Sequence, residues 1–500
     1  MAIKTVKEYI ESLKDGRDVW FEGEKVKDVT THRILRTACE LGAMDYALAQ
    51  DPNYQQLLVE HDEKGEPYHF CFKPMETVAD LLRKREIVQL TARTCFGMVG
   101  GSKFTGIDGL NAITAMSRRM DRELGTSYTQ RVEALRNDLK KNDAGLAVAV
   151  TDVKGDRSLR PAHQKQHKDY YVRIVDENKD GIVVRGAKVH ISWATTVHEF
   201  IVIPTRAMQE DEKEFAVAFA VPANAKGLKF IMAQPEEEDE ENDFDHPLGA
   251  HIYTDEALMV FDDVFIPKER VFLQGEWKYA GHFAYTFANY HRVSADAYKY
   301  TENEILVGAA ALMAEYNGLE KVPHVQEKLA WLGWYAETTE ALGRVACMDA
   351  NQDKETGLVI PNAVFSNCAK YFFASNYHQA LKHLIDIAGG IVATVPSARD
   401  FLSPEIGKYV DKYLSAKDGI PAEHRIRAIK LVRDLSSYFN QALTLHAEGS
   451  LAAQEMSIRT TSPWSRYKAA AKRVAHIDDG SIDPVYSKLP QFPSWTWRKK

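Results

Sequence analysis

Gly145-Leu146-Ala147-Val148-Ala149-Val150-Thr151-Asp152-Val153-Lys154-Gly155-Asp156-Arg157 is where the texture of the chain changes, and that change decides the fold. Before it, apolar residues recur every three or four positions over 5–13, 32–48, 75–94 and 110–139, the spacing of helices that bury one face. The quoted stretch is the first of several short, β-branched runs, followed by 170–175, 181–186, 199–204, 215–221 and 257–265. Asn178-Lys179-Asp180-Gly181 lies between two of them and predicts a hairpin, because Asp-Gly accepts the positive φ of a tight turn. Past Gly275 helical spacing returns in 302–316, 325–348, 362–388 and 423–446. This order predicts an α+β chain: an N-terminal all-helical domain over 1–141, a central β-barrel domain over 142–275 and a C-terminal helical bundle over 276–500.

Bulk properties narrow the function classes. With 45% hydrophobic and 27% charged residues in 500, the chain is ordinary globular protein with enough apolar material for large cores. It has no run of eighteen apolar residues and starts as a charged amphipathic helix, so the expectation is a cytoplasmic protein with no membrane partner. The five cysteines, Cys39, Cys71, Cys95, Cys347 and Cys368, never form Cys-x-x-Cys, which argues against a disulfide framework or a zinc site. A net charge of −8 argues against nucleic-acid binding. The acidic run over 236–245 reads as a solvated loop.

Two stretches carry a resemblance. Thr151-Asp152-Val153-Lys154-Gly155-Asp156-Arg157 resembles the Thr-Asp-Pro-Lys-Gly-Asp-Arg segment of the 4-hydroxybutyryl-CoA dehydratase family. Phe287-Ala288-Asn289-Tyr290-His291-Arg292-Val293-Ser294-Ala295-Asp296-Ala297-Tyr298-Lys299 is similar to its His-Arg-x-Ser motif. The likeness continues through 181–188, 256–267, 308–312 and Asp386-Ile387-Ala388-Gly389-Gly390, nearly the whole chain, and the wider group also holds 4-hydroxyphenylacetate 3-hydroxylases. It implies an acyl-CoA dehydrogenase-like fold, FAD as cofactor and a homotetramer built as a dimer of dimers. It also implies cofactor contacts from Thr151, Lys154, Asp156, Arg157, Ser192, Lys299, Asp386, Gly389 and Gly390, the last three serving a neighbouring subunit.

The chain departs from the family at the sites that matter most. The family holds a four-iron, four-sulfur cluster with three cysteines and one histidine. Here His291 and Cys95 remain, but Val99 and Tyr298 stand where two cysteines are expected, and neither replaces a thiolate, so no metal is expected. His291 and Glu256 then become candidates for proton transfer, and Lys299 for steadying negative charge on the flavin. Trp193 replaces a glycine beside Ser192 and either walls the substrate cavity or fills core space. Ala295 replaces a tyrosine, and Leu443 is expected at the position of a second glutamate.

The phenol-binding Arg-Ser-Pro-Asp-Tyr element of the hydroxylases corresponds here to Gly101-Ser102-Lys103-Phe104-Thr105, without its arginine or tyrosine. The resemblance therefore implies a small acyl-CoA substrate and either elimination of a C4 substituent or double-bond isomerisation. A reduced-flavin aromatic monooxygenase is the alternative. Expelling hydroxide benefits from a Lewis acid, whereas a quaternary ammonium leaves as a neutral amine. Asp296, Tyr298 and Trp193 would supply a carboxylate and aromatic faces for such a cation, pointing to trimethylamine release from 4-trimethylammoniobutyryl-CoA.

Overall fold

Capping chemistry starts the helices near where the spacing begins. In the computed structural model, which describes residues 3–97, 101–234, 242–253, 255–475, 477, 483–486, 488 and 489, Thr77 and Asp80 cap each other at the head of helix Val78–Thr94. Thr5 and Glu8 do the same for Val6–Ser12. Gly125, at φ +70°, ends helix Phe104–Leu124, so the span expected to be one helix becomes two, the second being Tyr128–Lys141. The N-terminal segment is not all helical. Asp18–Phe21 buries Val19 and Phe21 on alternate positions and joins the central sheet beside Leu228–Met232, in a run too short to stand out as periodic.

The strands form two sheets. The six-stranded sheet runs Glu24–Lys25, Asp18–Phe21, Leu228–Met232, Ala257–Pro267, Gly181–Ile191, Arg173–Asn178. The four-stranded sheet runs Val271–Gln274, Val217–Pro222, Glu199–Val202, Leu146–Ala149. The predicted hairpin is present, with Asn178 paired to Gly181. Both sheets share one core, where Phe219 meets Phe261 and Phe200 meets Phe230 at ring distances of 5.8 and 5.4 Å.

The expected barrel takes the form of these two open sheets, because among the described residues neither sheet pairs its edge strands with each other. At one seam they touch: Asp152, past the end of Leu146–Ala149, bridges to Lys188 of the other sheet. The Lys188 Nζ also lies 2.8 Å from the Asp152 carboxylate with both side chains buried.

The C-terminal part is built on three long helices, Trp277–Tyr316, Pro323–Met348 and Ala363–Ala388, which share a core with Ala422–Leu435. The first of them also packs against Val78–Thr94 and Phe104–Leu124 from the N-terminal part. Helix Phe104–Leu124 presses onto strand Leu146–Ala149 at two glycines: a Cβ on Gly106 would stand 2.2 Å from the Leu146 carbonyl oxygen, and one on Gly109 2.4 Å from Val148. That contact leaves Phe104 and Asp108, four apart on another face, turned toward Trp277–Tyr316. No helix among the described residues is long and apolar enough to cross a membrane.

Candidate active site

Helix Trp277–Tyr316 brings together His291, Asp296, Tyr298 and Lys299, all on buried turns of one rod. The Nδ1 of His291 lies 3.0 Å from the Asp108 carboxylate. Lys84 donates to the other oxygen of Asp108 at 2.6 Å, and Ser294, one turn on from His291, donates to it at 3.1 Å. Burial works to raise the Asp108 carboxyl, but Lys84 and the His291 contact outweigh it and hold it below its ordinary range. The imidazole stacks on Phe287 at 4.9 Å and Phe104 at 6.4 Å, and remains 16% exposed, so it can reach a ligand.

Two turns further on, the Tyr298 phenol donates a hydrogen bond to Glu448. Lys299 and Lys370 approach the other Glu448 oxygen at 3.7 and 3.8 Å. Burial, reinforced by Asp296, pushes the Glu448 carboxyl well up, and burial lowers both lysines. Asp296 is completely buried, and among the described residues neither of its oxygens has a hydrogen-bond partner. Burial pushes it up to about 8 against the pull of Arg85, Lys370, Lys299 and Arg292, so near neutral pH it is mostly the uncharged acid despite the protein cations around it. The Lys299 Nζ sits 4.8 Å from the Tyr298 and Phe373 ring centres.

Across the sheet, Asp255 and Glu256 pin the turn after strand Gly181–Ile191. Asp255 accepts both the N–H and the hydroxyl of Thr195 at 2.6 Å, while Ser192 donates to Glu256 at 2.6 Å. Burial pushes Glu256 up to about 7. Trp193, in this turn, is buried in the same core as Tyr298 and adopts φ +65°, a left-handed conformation that suits glycine far better than tryptophan.

Beyond Ser192 and Lys299, the FAD candidates fall in two further places. Thr151 closes the strand region, its carbonyl accepting from Val189, and Lys154 and Gly155 turn the following loop with φ +76° and +55°. Asp156 caps that loop through Ser158 at 2.9 Å, and Arg157 is exposed. Asp386 bonds Lys328 at 2.5 Å and, with Gly389 and Gly390, lines an open depression of about 570 Å³ that shares no residue with the His291 cluster. Space is free where a Cβ would stand on either glycine, and Gly389 has φ +83°.

Of the two positions that the resemblance implies as cluster ligands, Cys95 is fully buried with Sγ 3.8 Å from the Leu41 carbonyl, and burial pushes its thiol up to about 12. Val99 lies outside the described residues. Among the described residues no three His, Cys, Asp or Glu side chains gather as metal ligands. Asp108, Lys84, Lys370 and Glu448 escaped the sequence reading. Glu448, and not Leu443, supplies the carboxyl beside Lys299, on a backbone with φ +59° next to Gly449, a His-Ala-Glu-Gly turn that was the available signal.

Comparison with known proteins places this geometry. A family model for the 4-hydroxyphenylacetate 3-hydroxylase N-terminal region matches residues 5–273, and one for the C-terminal region matches 280–476. The chain is 32% identical over 495 residues to the 4-hydroxybutyryl-CoA dehydratase/vinylacetyl-CoA-Delta-isomerase of Clostridium aminobutyricum, covering 95% of this chain and 100% of that protein. An oxygen-tolerant archaeal 4-hydroxybutyryl-CoA dehydratase from N. maritimus superposes with a TM-score of 0.89 at 29% identity, covering 97% of each chain. The oxygenase component of a 4-hydroxyphenylacetate 3-monooxygenase complexed with FAD gives 0.86 at 28% identity, covering 94% of this chain and 98% of that one. The acyl-CoA dehydrogenase-like layering of helices, strands and long helices is thus that of its solved relatives, and the chain belongs to the 4-hydroxyphenylacetate 3-hydroxylase family.

Proposed function

We propose that the protein is a FAD-dependent enzyme that acts on a short-chain acyl-CoA thioester without an iron–sulfur cluster, as a cytoplasmic homotetramer. It eliminates a C4 substituent, with trimethylamine leaving 4-trimethylammoniobutyryl-CoA as the specific reaction, and the same groups suit double-bond isomerisation. The observation that carries this reading is the Tyr298–Glu448 hydrogen bond at a position where the family has a cysteine, beside a His291 whose Nδ1 is committed to Asp108. The donor set does not fit a cubane: one buried protonated thiol and one imidazole fall short of four soft ligands. The likeness to a dehydratase/isomerase supports the acyl-CoA class.

The residues present fit FAD. Thr151, Lys154, Asp156, Arg157, Ser192 and Lys299 would hold it from one subunit, while the uncrowded Gly389-Gly390 backbone and Asp386 would approach it from a second. When bound, FAD supplies an oxidised ring that takes electrons from the acyl chain and returns them. Overall, the C4–N bond breaks with its electron pair leaving on nitrogen, one carbon-bound proton is lost and a carbon–carbon double bond forms, so there is no net oxidation. His291 Nε2 and the Glu256 carboxylate move protons. Lys299 offsets negative charge. The Tyr298 and Trp193 rings would face the cation, and Asp296 is buried among protein cations of its own.

Anaerobic incubation with 4-trimethylammoniobutyryl-CoA is expected to release trimethylamine, with Tyr298→Ala lowering the rate more than it lowers flavin binding. Turnover of a 4-hydroxybutyryl or 3-enoyl thioester with no amine formed would remove the cation from the reading. Hydroxylation of 4-hydroxyphenylacetate with reduced FAD and oxygen, without response to CoA esters, would replace it by the monooxygenase. Iron and sulfide analysis of anaerobically purified protein tests the cluster-free statement.

A pH profile tests Glu256 separately. A carboxyl raised to about 7 is protonated below that pH and cannot accept a proton, so kcat is expected to rise toward about pH 7 and then level. Glu256→Gln should remove that limb; an unchanged limb in this variant would assign it to another group.

A further inference from the structure

Three helices that are far apart in sequence meet at one carboxylate. Asp108 comes from Phe104–Leu124, Lys84 from Val78–Thr94, and His291 and Ser294 from Trp277–Tyr316. Lys84 and Asp108 are fully buried. The two Asp108 oxygens have separate duties: Oδ1 accepts from Lys84 at 2.6 Å and Ser294 at 3.1 Å, while Oδ2 faces His291 Nδ1 at 3.0 Å. Lys84 also donates to the Tyr290 carbonyl at 3.2 Å, which fixes the ammonium from the residue preceding the histidine.

An ionised carboxylate only accepts hydrogen bonds, so the nitrogen opposite Oδ2 must carry its proton. In a neutral imidazole that leaves the other nitrogen, Nε2, with a lone pair. Phe287 and Phe104 lie nearly parallel to the ring, at 17° and 13°, and restrict its tilt. Among the described residues the ring makes no second hydrogen bond.

We propose that Asp108 is a positioning residue: held by Lys84 and Ser294, it fixes the His291 proton on Nδ1 and turns an Nε2 lone pair toward the substrate. This rests on the reading of His291 as a proton-transfer residue. A purely structural Asp108, serving only as counter-ion to Lys84, would leave the ring's protonation indifferent to its presence.

Nitrogen-15 NMR of the full-length protein labelled at histidine decides this without turnover. The wild-type spectrum minus that of His291→Gln isolates the one ring, and in its singly protonated form it is expected to show a protonated Nδ1 and an unprotonated Nε2. The opposite tautomer overturns the proposal, and this holds even if no Asp108 variant folds. In Lys84→Gln/Asp108→Asn, which removes both charges and keeps the side-chain volumes, the ring should shift toward the opposite tautomer and kcat should fall on the order of 100-fold with KM little changed. An unchanged tautomer there also overturns it. If the tautomer is as expected but His291→Gln retains full turnover, the positioning stands and the proton-transfer reading of His291 falls.

Discussion

His291→Ala is expected to lower kcat/KM for the acyl-CoA thioester by about 10²–10⁴-fold, the usual worth of a positioned general base. The imidazole is the one member of its cluster with access to a ligand: Lys84 and Asp108 are sealed, whereas His291 is 16% exposed at the edge of the stacked Phe287 ring. Removing it leaves Asp108 still paired with Lys84 and Ser294, so the fold and flavin content should be preserved. Steady-state kinetics with flavin absorbance on the same sample read both. A loss below threefold, with flavin retained, would transfer the proton-moving role to Glu256.

Lys84→Ala is expected to destabilise the protein by about 3–5 kcal/mol, because it strands the Asp108 charge in a fully buried site. Both side chains are fully buried and 2.6 Å apart, so the ammonium is the cation that compensates the carboxylate most directly. The double variant Lys84→Ala/Asp108→Ala removes the stranded charge and should recover part of that loss, giving a coupling well outside additivity. Denaturant unfolding followed by tryptophan fluorescence measures the cycle. Additive single effects would show that the pair is not coupled and that burial alone sets the cost.

How much of this could be read in the sequence depends on whether a feature is local. The hairpin at Asn178–Gly181 and the helix start at Thr77 follow from residues within a few positions of one another, and both are present close to where they were expected. The family motifs at Thr151–Arg157 and around His291 were equally readable because they are contiguous. Asp108 and Lys84 were not: each sits in an ordinary amphipathic helix, and only tertiary packing across more than 180 residues puts them beside His291. The strand Asp18–Phe21 was missed for the same reason, since its partner lies in 228–232 and four residues are too few for a period to register. Glu448 differed in another way. Its turn follows the helix Tyr438–His446, and a break after Leu435 separates that helix from Ala422–Leu435, where unbroken spacing had suggested one continuous helix.

The backbone of Trp193 stores strain: a left-handed conformation costs a non-glycine residue on the order of 1–2 kcal/mol. Here the conformation is held by neighbours on both sides, Ser192 tied to Glu256 and Thr195 tied to Asp255. Strain of this kind persists only where its surroundings over-determine it, so the two carboxylate ties act as clamps that keep the indole in the core it shares with Tyr298.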